Sequence, residues 1–183
     1  MEGRVKGTKK YISKEDLPAA RWKDVTYGRI VVKYRPEKSD PNRVRLTVGG
    51  NRINYPGDCV TPTTDMLTVK LLLNSVIFAK GANFMSIDIK KFYLNTPMAR
   101  YEYMRLKIAE LPQDLIDEYK LYDNKTKDGY VYLEIRKGVY GLPQAGILTQ
   151  KLLEKRLNAK GCRQSGICPG FWKHNWRPIC VGI

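Results

Sequence analysis

The chain has few acidic residues, no apolar run long enough to cross a membrane and no secretory signal. Its 183 residues include 18 Asp and Glu against 33 Lys and Arg, which gives a formal net charge of +15. The longest apolar run, residues 71–79, is interrupted by Asn74 and Ser75 and falls well short of the ~20 residues of a membrane span. The basic N-terminus lacks the apolar stretch of a secretory signal. We therefore expect an intracellular protein, cytoplasmic or nuclear, without a membrane partner.

Histidine is nearly absent, and the cysteines do not form a familiar metal motif. Cys162, Cys168, His174 and Cys180 recur at every sixth residue, whereas zinc sites bring their ligands together in pairs through short loops such as Cys-x2-Cys. Intracellular chains usually keep their cysteines reduced. We therefore predict free thiols here, and no zinc site.

The positive charge is concentrated near the N-terminus. Residues 1–56 contain 14 Lys and Arg against 6 Asp and Glu, a net +8. Five aromatic residues are interleaved with these cations: Tyr11, Trp22, Tyr27, Tyr34 and Tyr55. Cations and aromatic rings together suit the phosphates and bases of a single nucleic-acid strand. A solvated face whose rings point into the core explains the pattern equally well, so nucleic acid is the first candidate partner and no more.

The hydrophobic patterns predict an α+β fold, with an antiparallel sheet and helices packed on one side of it. Two β-rich runs joined by a Pro-containing turn predict a hairpin over residues 29–48. The other predicted strands are 83–87, 102–108 and 130–135, with a second hairpin over 170–183. Helices are predicted at 64–79, 112–122 and 144–160. Gly81 follows the first of them and Gly161 the third, and a glycine at this position commonly ends a helix. Residues 1–20 are basic and are predicted to be disordered.

One carboxylate stands out because of its position. Asp88 ends the apolar run that leads into it, and the aromatic pair Phe92-Tyr93 follows four residues later. A carboxylate at the end of a buried strand needs a counter-charge, which a Lys, an Arg or a metal ion can supply. Taken alone, an Asp that simply begins a turn explains this residue as well.

Three segments in this order resemble reverse transcriptases of long-terminal-repeat retrotransposons. They are residues 45–54 (Arg-Leu-Thr-Val-Gly-Gly-Asn-Arg-Ile-Asn), residues 84–97 around Asp88, and residues 137–146 (Lys-Gly-Val-Tyr-Gly-Leu-Pro-Gln-Ala-Gly). In that family an Asp-x-x-x-x-Tyr/Phe-Leu-Asn block precedes Tyr-Gly-Leu-x-Gln-Ala. The resemblance runs from about residue 22 to 183. It implies the right-hand fold of polymerases, with fingers at about 21–82 and 120–147 and a partial palm in the remainder.

The resemblance also implies RNA-directed DNA synthesis with two Mg²⁺ ions, a dNTP and a nucleic-acid primer-template. Asp88 and the main-chain carbonyl of Ile89 are the implied metal ligands. Lys38 and Arg45 are implied to hold the triphosphate. The remaining implied roles are Tyr93 as the steric gate against a ribose 2′-hydroxyl, Gln144 as a contact of the incoming sugar, and Gly141 with Pro143 as the turn before a helix.

Two departures from the family pattern qualify these expectations. The family's Asp-Asp turn, which supplies the remaining metal ligands, is absent, and no Asp follows Asp128. Gly49-Gly50 stands where the family commonly has Asp-Phe or Asp-Tyr. We therefore expect a reverse-transcriptase segment that does not extend primers on its own, whether it is part of a polyprotein, a decayed element or a split enzyme. The alternatives are a non-catalytic nucleic-acid-binding module and a structural domain whose charge is incidental.

Overall fold

The computed structural model describes residues 7–39 and 41–183, which fall into two compact units. Unit 1 contains the described residues up to Cys59 together with Lys91–Leu148, and unit 2 contains Val60–Lys90 and Thr149–Ile183. The chain is mixed α+β, as predicted. Residues 91–119, expected in the palm, belong to unit 1, and residues 60–82, expected in the fingers, belong to unit 2.

Unit 1 is built on a five-stranded sheet. Its strands are β1 (Lys9–Ile12), β2 (Thr26–Tyr34), β3 (Asn42–Val48), β4 (Pro97–Lys107) and β5 (Tyr130–Lys137), in the order β1-β5-β4-β2-β3. All neighbours are antiparallel except β2 and β4, which run parallel where Thr26 pairs with Met104. The predicted antiparallel pairing therefore holds for three of the four strand pairs of this sheet, and the pair of β2 and β4 departs from it. The long connection from β3 to β4 lets β4 enter the sheet in the same direction as β2.

The main apolar core lies on one face of this sheet. Side chains alternate along a strand, and the core-facing residues of β4 and β5 are all buried: Met104, Leu106, Val131, Leu133 and Ile135. Ile116 of helix α2 (Gln113–Glu118) and Ala145 at the start of helix α3 (Ala145–Ala159) join the same cluster. The neighbouring residues Tyr103, Arg105 and Lys107 consequently lie on the opposite face.

The prediction for one end of the sheet is confirmed, and the prediction for the other end is wrong. The hairpin is confirmed: β2 and β3 are antiparallel and pair Val31 with Arg45. The predicted disorder of residues 1–20 is wrong for β1, which pairs with β5 along its whole length. The main-chain groups at the edge of β5 find partners in β1, and Ile12 and Leu17 are buried. Residues 1–6 of the predicted segment lie outside the described residues.

Unit 2 contains helix α1 (Met66–Phe78), most of α3 and a small antiparallel sheet. Its strands are β6 (Cys162–Gln164), β7 (Phe171–His174) and β8 (Cys180–Gly182), so the second predicted hairpin is confirmed as β7 and β8. Asp65 caps α1 by accepting a 2.9 Å hydrogen bond from the Thr68 N–H. Bonds from the side chain and main chain of Thr68 lower the pKa of the Asp65 carboxyl.

Helix α1 is apolar yet buries no side chain. Leu71, Ile77 and Phe78 are 58%, 76% and 87% exposed. The predicted strand at 83–87 does not form, and its apolar side chains are exposed. Apolar composition predicted burial there, but in the described part of the chain no neighbouring strand pairs with this segment. No helix within residues 7–39 and 41–183 has both the length and the apolarity needed to cross a membrane.

Candidate nucleotide-binding site

Two of the residues implied by the resemblance meet at Tyr140 in unit 1. The ring of Tyr93, in a short 3-10 turn (Tyr93–Asn95), lies edge-on to the Tyr140 ring with 5.4 Å between centroids. The guanidinium of Arg45 on β3 lies over the Tyr140 ring, 5.3 Å from its centroid. We call Arg45, Tyr93 and Tyr140 the tyrosine cluster. Each of its members comes from a different one of the three sequence segments.

Two glycines hold Tyr140 in this position. Gly141 has a φ of +95°, and a Cβ there would lie 2.0 Å from the Val48 carbonyl oxygen. The N–H of Val48 donates a 2.8 Å hydrogen bond to the carbonyl of Tyr140. A Cβ at Gly138 would lie 2.7 Å from the carbonyl oxygen of Tyr93. The Tyr140 segment is therefore packed against β3 on one side and against the Tyr93 turn on the other, at distances that only glycine permits.

Gly49 and Gly50, the departure from the family pattern, have a packing reason of their own. A Cβ at Gly49 would lie 2.4 Å from Cζ of Tyr27, and a Cβ at Gly50 would lie 2.2 Å from the carbonyl oxygen of Gly141. The first contact holds the Tyr27 ring against the chain after β3. The second brings the turn at Gly141 close to Gly50. A larger residue at Gly49 or Gly50 would therefore displace the Tyr27 ring or the Gly141 turn.

Arg45 is a half-buried cation without an acidic partner. None of the ion pairs formed between described residues includes it, and its Nε is buried with no hydrogen-bond partner there. An arginine keeps its charge at all physiological pH values and binds phosphate through a planar fork of N–H donors. Lys38 lies exposed in the turn between β2 and β3, where its N–H donates to the Arg35 carbonyl at 3.1 Å.

The side chain of Gln144, for which the resemblance implies a sugar contact, is buried in a polar network. Its side chain is 0% exposed, and its Nε2 donates a 3.0 Å hydrogen bond to Oε1 of Glu102, itself fully buried. Glu102 is further bonded by Arg21 and lies 3.6 Å from Nε of Arg100. A sugar contact by Gln144 would require this turn to open. Pro143 precedes Gln144, and α3 begins at the next residue.

Burial raises the pKa of the Glu102 carboxyl, and the positive charges of Arg21 and Arg100 oppose this effect. The carboxyl is held at the start of the long antiparallel register between β4 and β5. Its environment links three distant parts of unit 1: the 3-10 turn Ala19–Asp24 that contains Arg21, the strand β4, and the turn before α3. The polar contacts of Glu102 thus hold Gln144 in place.

Asp88 and Ile89 belong to unit 2, in a stretch without assigned secondary structure. The prediction that Asp88 ends a buried strand is wrong: its side chain is exposed and forms no hydrogen bond or ion pair with the described residues. Within the described residues no group of three or more His, Cys, Asp and Glu is placed to hold a metal. The Asp88 carboxylate and the Ile89 carbonyl are oxygen ligands of the kind that Mg²⁺ prefers, but one carboxylate does not make a two-metal centre.

The histidine of unit 2 has a structural role of its own. All four cysteines are free thiols, as predicted. Nδ1 of His174 accepts hydrogen bonds from the N–H groups of Trp176 and Arg177 at 3.3 and 3.2 Å. His174 therefore closes the turn between β7 and β8, and its ring lies edge-on to Trp176.

Comparison of the chain with models of protein families, with curated proteins and with solved structures finds no match. The functional proposal therefore depends on the residues and on their geometry. The sequence patterns assign no role to two residues that the structure makes prominent, Tyr140 and Glu102. Tyr140 lies inside the Tyr-Gly-Leu segment, which was the available signal for it. For Glu102 the sequence signal is weaker: it is an acidic residue inside a strand otherwise rich in aromatic and apolar residues.

Proposed function

We propose that this chain is the fingers and partial palm of a reverse transcriptase, and that unit 1 binds a deoxynucleoside triphosphate. The observation that carries the proposal is the arrangement of Arg45 and Tyr93 around Tyr140. Arg45 provides a positive charge that no acid neutralises within the described residues. Tyr93 provides an aromatic ring in contact with the same Tyr140. Cation and ring suit the triphosphate and the sugar of one ligand.

The roles follow from charge and shape. Arg45, with Lys38 from the hairpin turn, is proposed to hold the phosphates, because fixed cations stabilise the charge of a phosphoryl group. Tyr93 is proposed to exclude a 2′-hydroxyl from the sugar position. Asp88 and the Ile89 carbonyl, in unit 2, are proposed to supply one carboxylate and one carbonyl to Mg²⁺. Phosphoryl transfer by two metals needs further carboxylates, so nucleotide binding is the function that this chain is proposed to perform.

Calorimetric titration with dATP tests the role of Arg45. Arg45→Gln removes one charge from the cluster and should weaken dATP binding by about 10-fold or more, since charged hydrogen bonds contribute roughly 1.5–3 kcal/mol. Arg156→Gln on the exposed side of α3 is the matched control and should change the affinity by less than about 2-fold. Equal effects of the two variants would show that dATP responds only to net charge, and the assignment of Arg45 would be wrong.

The same titration with ATP and dATP tests Tyr93. Replacing the ring with Val opens space for a 2′-hydroxyl, so the preference for dATP over ATP should fall by about 10-fold. Tyr122→Val, which shortens an exposed tyrosine of unit 1 (56% exposed), is the control and should leave the preference unchanged. If the preference stays and only the melting temperature falls, Tyr93 is a packing partner of Tyr140 rather than a gate.

A non-catalytic nucleic-acid-binding module is the second candidate, favoured by the cations on one face of the sheet. The register between β2 and β3 pairs Lys33 with Arg43 and Val31 with Arg45, which places these basic side chains on the same face. Such a module would bind an oligonucleotide but would not distinguish dATP from ATP. The Tyr93 titration therefore separates the two candidates.

A further inference from the structure

The face of the five-stranded sheet opposite the core contains an open basic concavity. Tyr27 pairs with Arg105 between β2 and β4, and Lys107 pairs with Tyr130 between β4 and β5. Residues paired in register share a face of the sheet, so these side chains lie on one side, away from Met104. We call the concavity, about 390 Å³ in volume, the outer pocket. Besides Gly28 and Glu110, it is lined by Tyr27, Arg29, Arg52, Arg105, Lys107 and Tyr130.

The outer pocket is strongly positive. Four of its side chains are cations, and Glu110 is the one acid that lines it. Among the described residues none of the four cations takes part in an ion pair. A concave surface lined by charges of one sign concentrates the field and attracts ions of the opposite sign. The ligand class that fits this charge is a polyanion.

The arginines of the outer pocket lie over tyrosine rings. The guanidinium carbon of Arg105 lies 4.6 Å from the centroid of Tyr130, and those of Arg52 and Arg29 lie 5.7 and 5.9 Å from the centroid of Tyr27. These contacts keep the guanidinium groups beside aromatic rings within the pocket. A guanidinium donates two hydrogen bonds to a phosphate, and its flat face can stack on an unpaired base.

We propose that the outer pocket binds one or two nucleotides of a single nucleic-acid strand. The phosphates contact Arg52 and Lys107, and a base lies against the guanidinium plane of Arg105. A duplex is excluded from this mode because its bases are already stacked on one another. The register of the sheet places Arg29 and Arg45 on the same face, so a strand leaving the pocket meets further cations. This inference rests on nucleic-acid binding by unit 1, not on the binding of dATP.

Fluorescence anisotropy with fluorescein-labelled (dT)12 tests the proposal. The double variant Arg52→Gln, Arg105→Gln should weaken binding by about 10-fold or more. It should also reduce the slope of log K against log salt by roughly 0.7, since Arg52 is the one phosphate contact removed and each such contact of a single strand contributes about 0.7. The control, Lys155→Gln with Arg156→Gln on α3, removes the same charge from unit 2 and should weaken binding by less than about 2-fold.

Two further measurements separate a folding defect from a binding defect. Arg52→Gln alone removes an exposed side chain and should retain the melting temperature while weakening (dT)12 binding by about 3-fold. Arg105→Lys keeps the charge but loses the plane, so the variant should bind inorganic polyphosphate as the wild type does and (dT)12 more weakly. Identical behaviour towards both probes would overturn the stacking contact.

Three outcomes overturn the proposal. Equal losses in the pocket and control variants would show that only net charge matters. Inorganic polyphosphate that competes as strongly as (dT)12 would show that bases are not recognised, and anionic phosphatidylserine vesicles that require Arg52 and Arg105 would identify a lipid surface instead. Binding of dATP should be unchanged in the double variant. A failure of the outer pocket therefore leaves the proposed nucleotide site standing, and the reverse also holds.

Discussion

The side-chain amide of Gln144 donates a 3.0 Å hydrogen bond to Oε1 of Glu102, and neither side chain has any exposed area. Arg21 and Arg100 also contact Glu102, and both bond to Asp24, at 2.8 and 2.9 Å. A buried carboxylate is stable only if its oxygens are paired. The network therefore connects β4 to the turn before α3. The same turn contains Gly141, the residue after Tyr140 of the tyrosine cluster.

Gln144→Glu should destabilise unit 1 strongly at neutral pH. The substitution replaces the donor by a second carboxylate about 3 Å from Glu102, and two such groups cannot both ionise without a large repulsion. We expect a loss of roughly 2 kcal/mol or more at pH 7, partly recovered at about pH 5, measured by urea unfolding. Gln113→Glu is the control, because Gln113 donates a hydrogen bond to the exposed Asp117. Like charges spaced i,i+4 on a helix destabilise it by only a few tenths of a kcal/mol. Equal losses would mean that the buried contact has no special weight.

The pH dependence of stability should carry the signature of Glu102. Burial raises the pKa of its carboxyl above the ordinary value of 4.5, so the folded protein binds this proton more tightly than the unfolded chain does. The resulting stabilisation is present below about pH 4.5 and is lost as the pH rises through the raised pKa. The free energy of unfolding of the wild type should therefore fall relative to Glu102→Gln between about pH 4 and pH 7. A relative rise would mean that attraction to Arg21 and Arg100 outweighs burial.

Local patterns in the sequence account for most of the elements. The hairpin of β2 and β3 follows from β-rich runs around a turn, and β5 from its alternation. The long helix predicted at 144–160 is α3, and Gly161, which follows it, has a φ of +82°. In each case the signal lies within a few residues of the element that it predicts.

The predictions that failed concern pairing with partners far away in the chain. β1 is short and basic, and it forms because β5 offers it an edge. Residues 83–87 are apolar but pair with no strand of the described chain. The contact between Glu102 and Gln144 spans 42 residues, and no local pattern reports it. For the candidate site, the motifs single out Arg45 and Tyr93, but they do not indicate that both residues would contact Tyr140.

Gly141→Ala should be much more damaging than Gly129→Ala. Both glycines have positive φ, +95° and +78°, so both substitutions introduce backbone strain of about 1 kcal/mol. A Cβ at Gly141 would also lie 2.0 Å from the Val48 carbonyl, whereas one at Gly129 meets nothing within 4 Å. We expect an additional loss of about 1–3 kcal/mol for Gly141→Ala, measured by urea unfolding. Equal losses in the two variants would show that the turn can move away from β3 without cost.

Ile135→Ala and Ile77→Ala should differ in stability because one isoleucine is buried and the other is not. Ile135 is 0% exposed in the core of unit 1, and Ile77 is 76% exposed on α1. Removing a buried isoleucine side chain costs about 2–5 kcal/mol, including the cavity left behind. Ile77→Ala should change the free energy of unfolding by less than about 0.5 kcal/mol, since it empties no packed space and Ala favours the helix slightly. Urea unfolding of both variants at one protein concentration makes the comparison. A loss for Ile77→Ala as large as that for Ile135→Ala would mean that the apolar side of α1 is covered in solution.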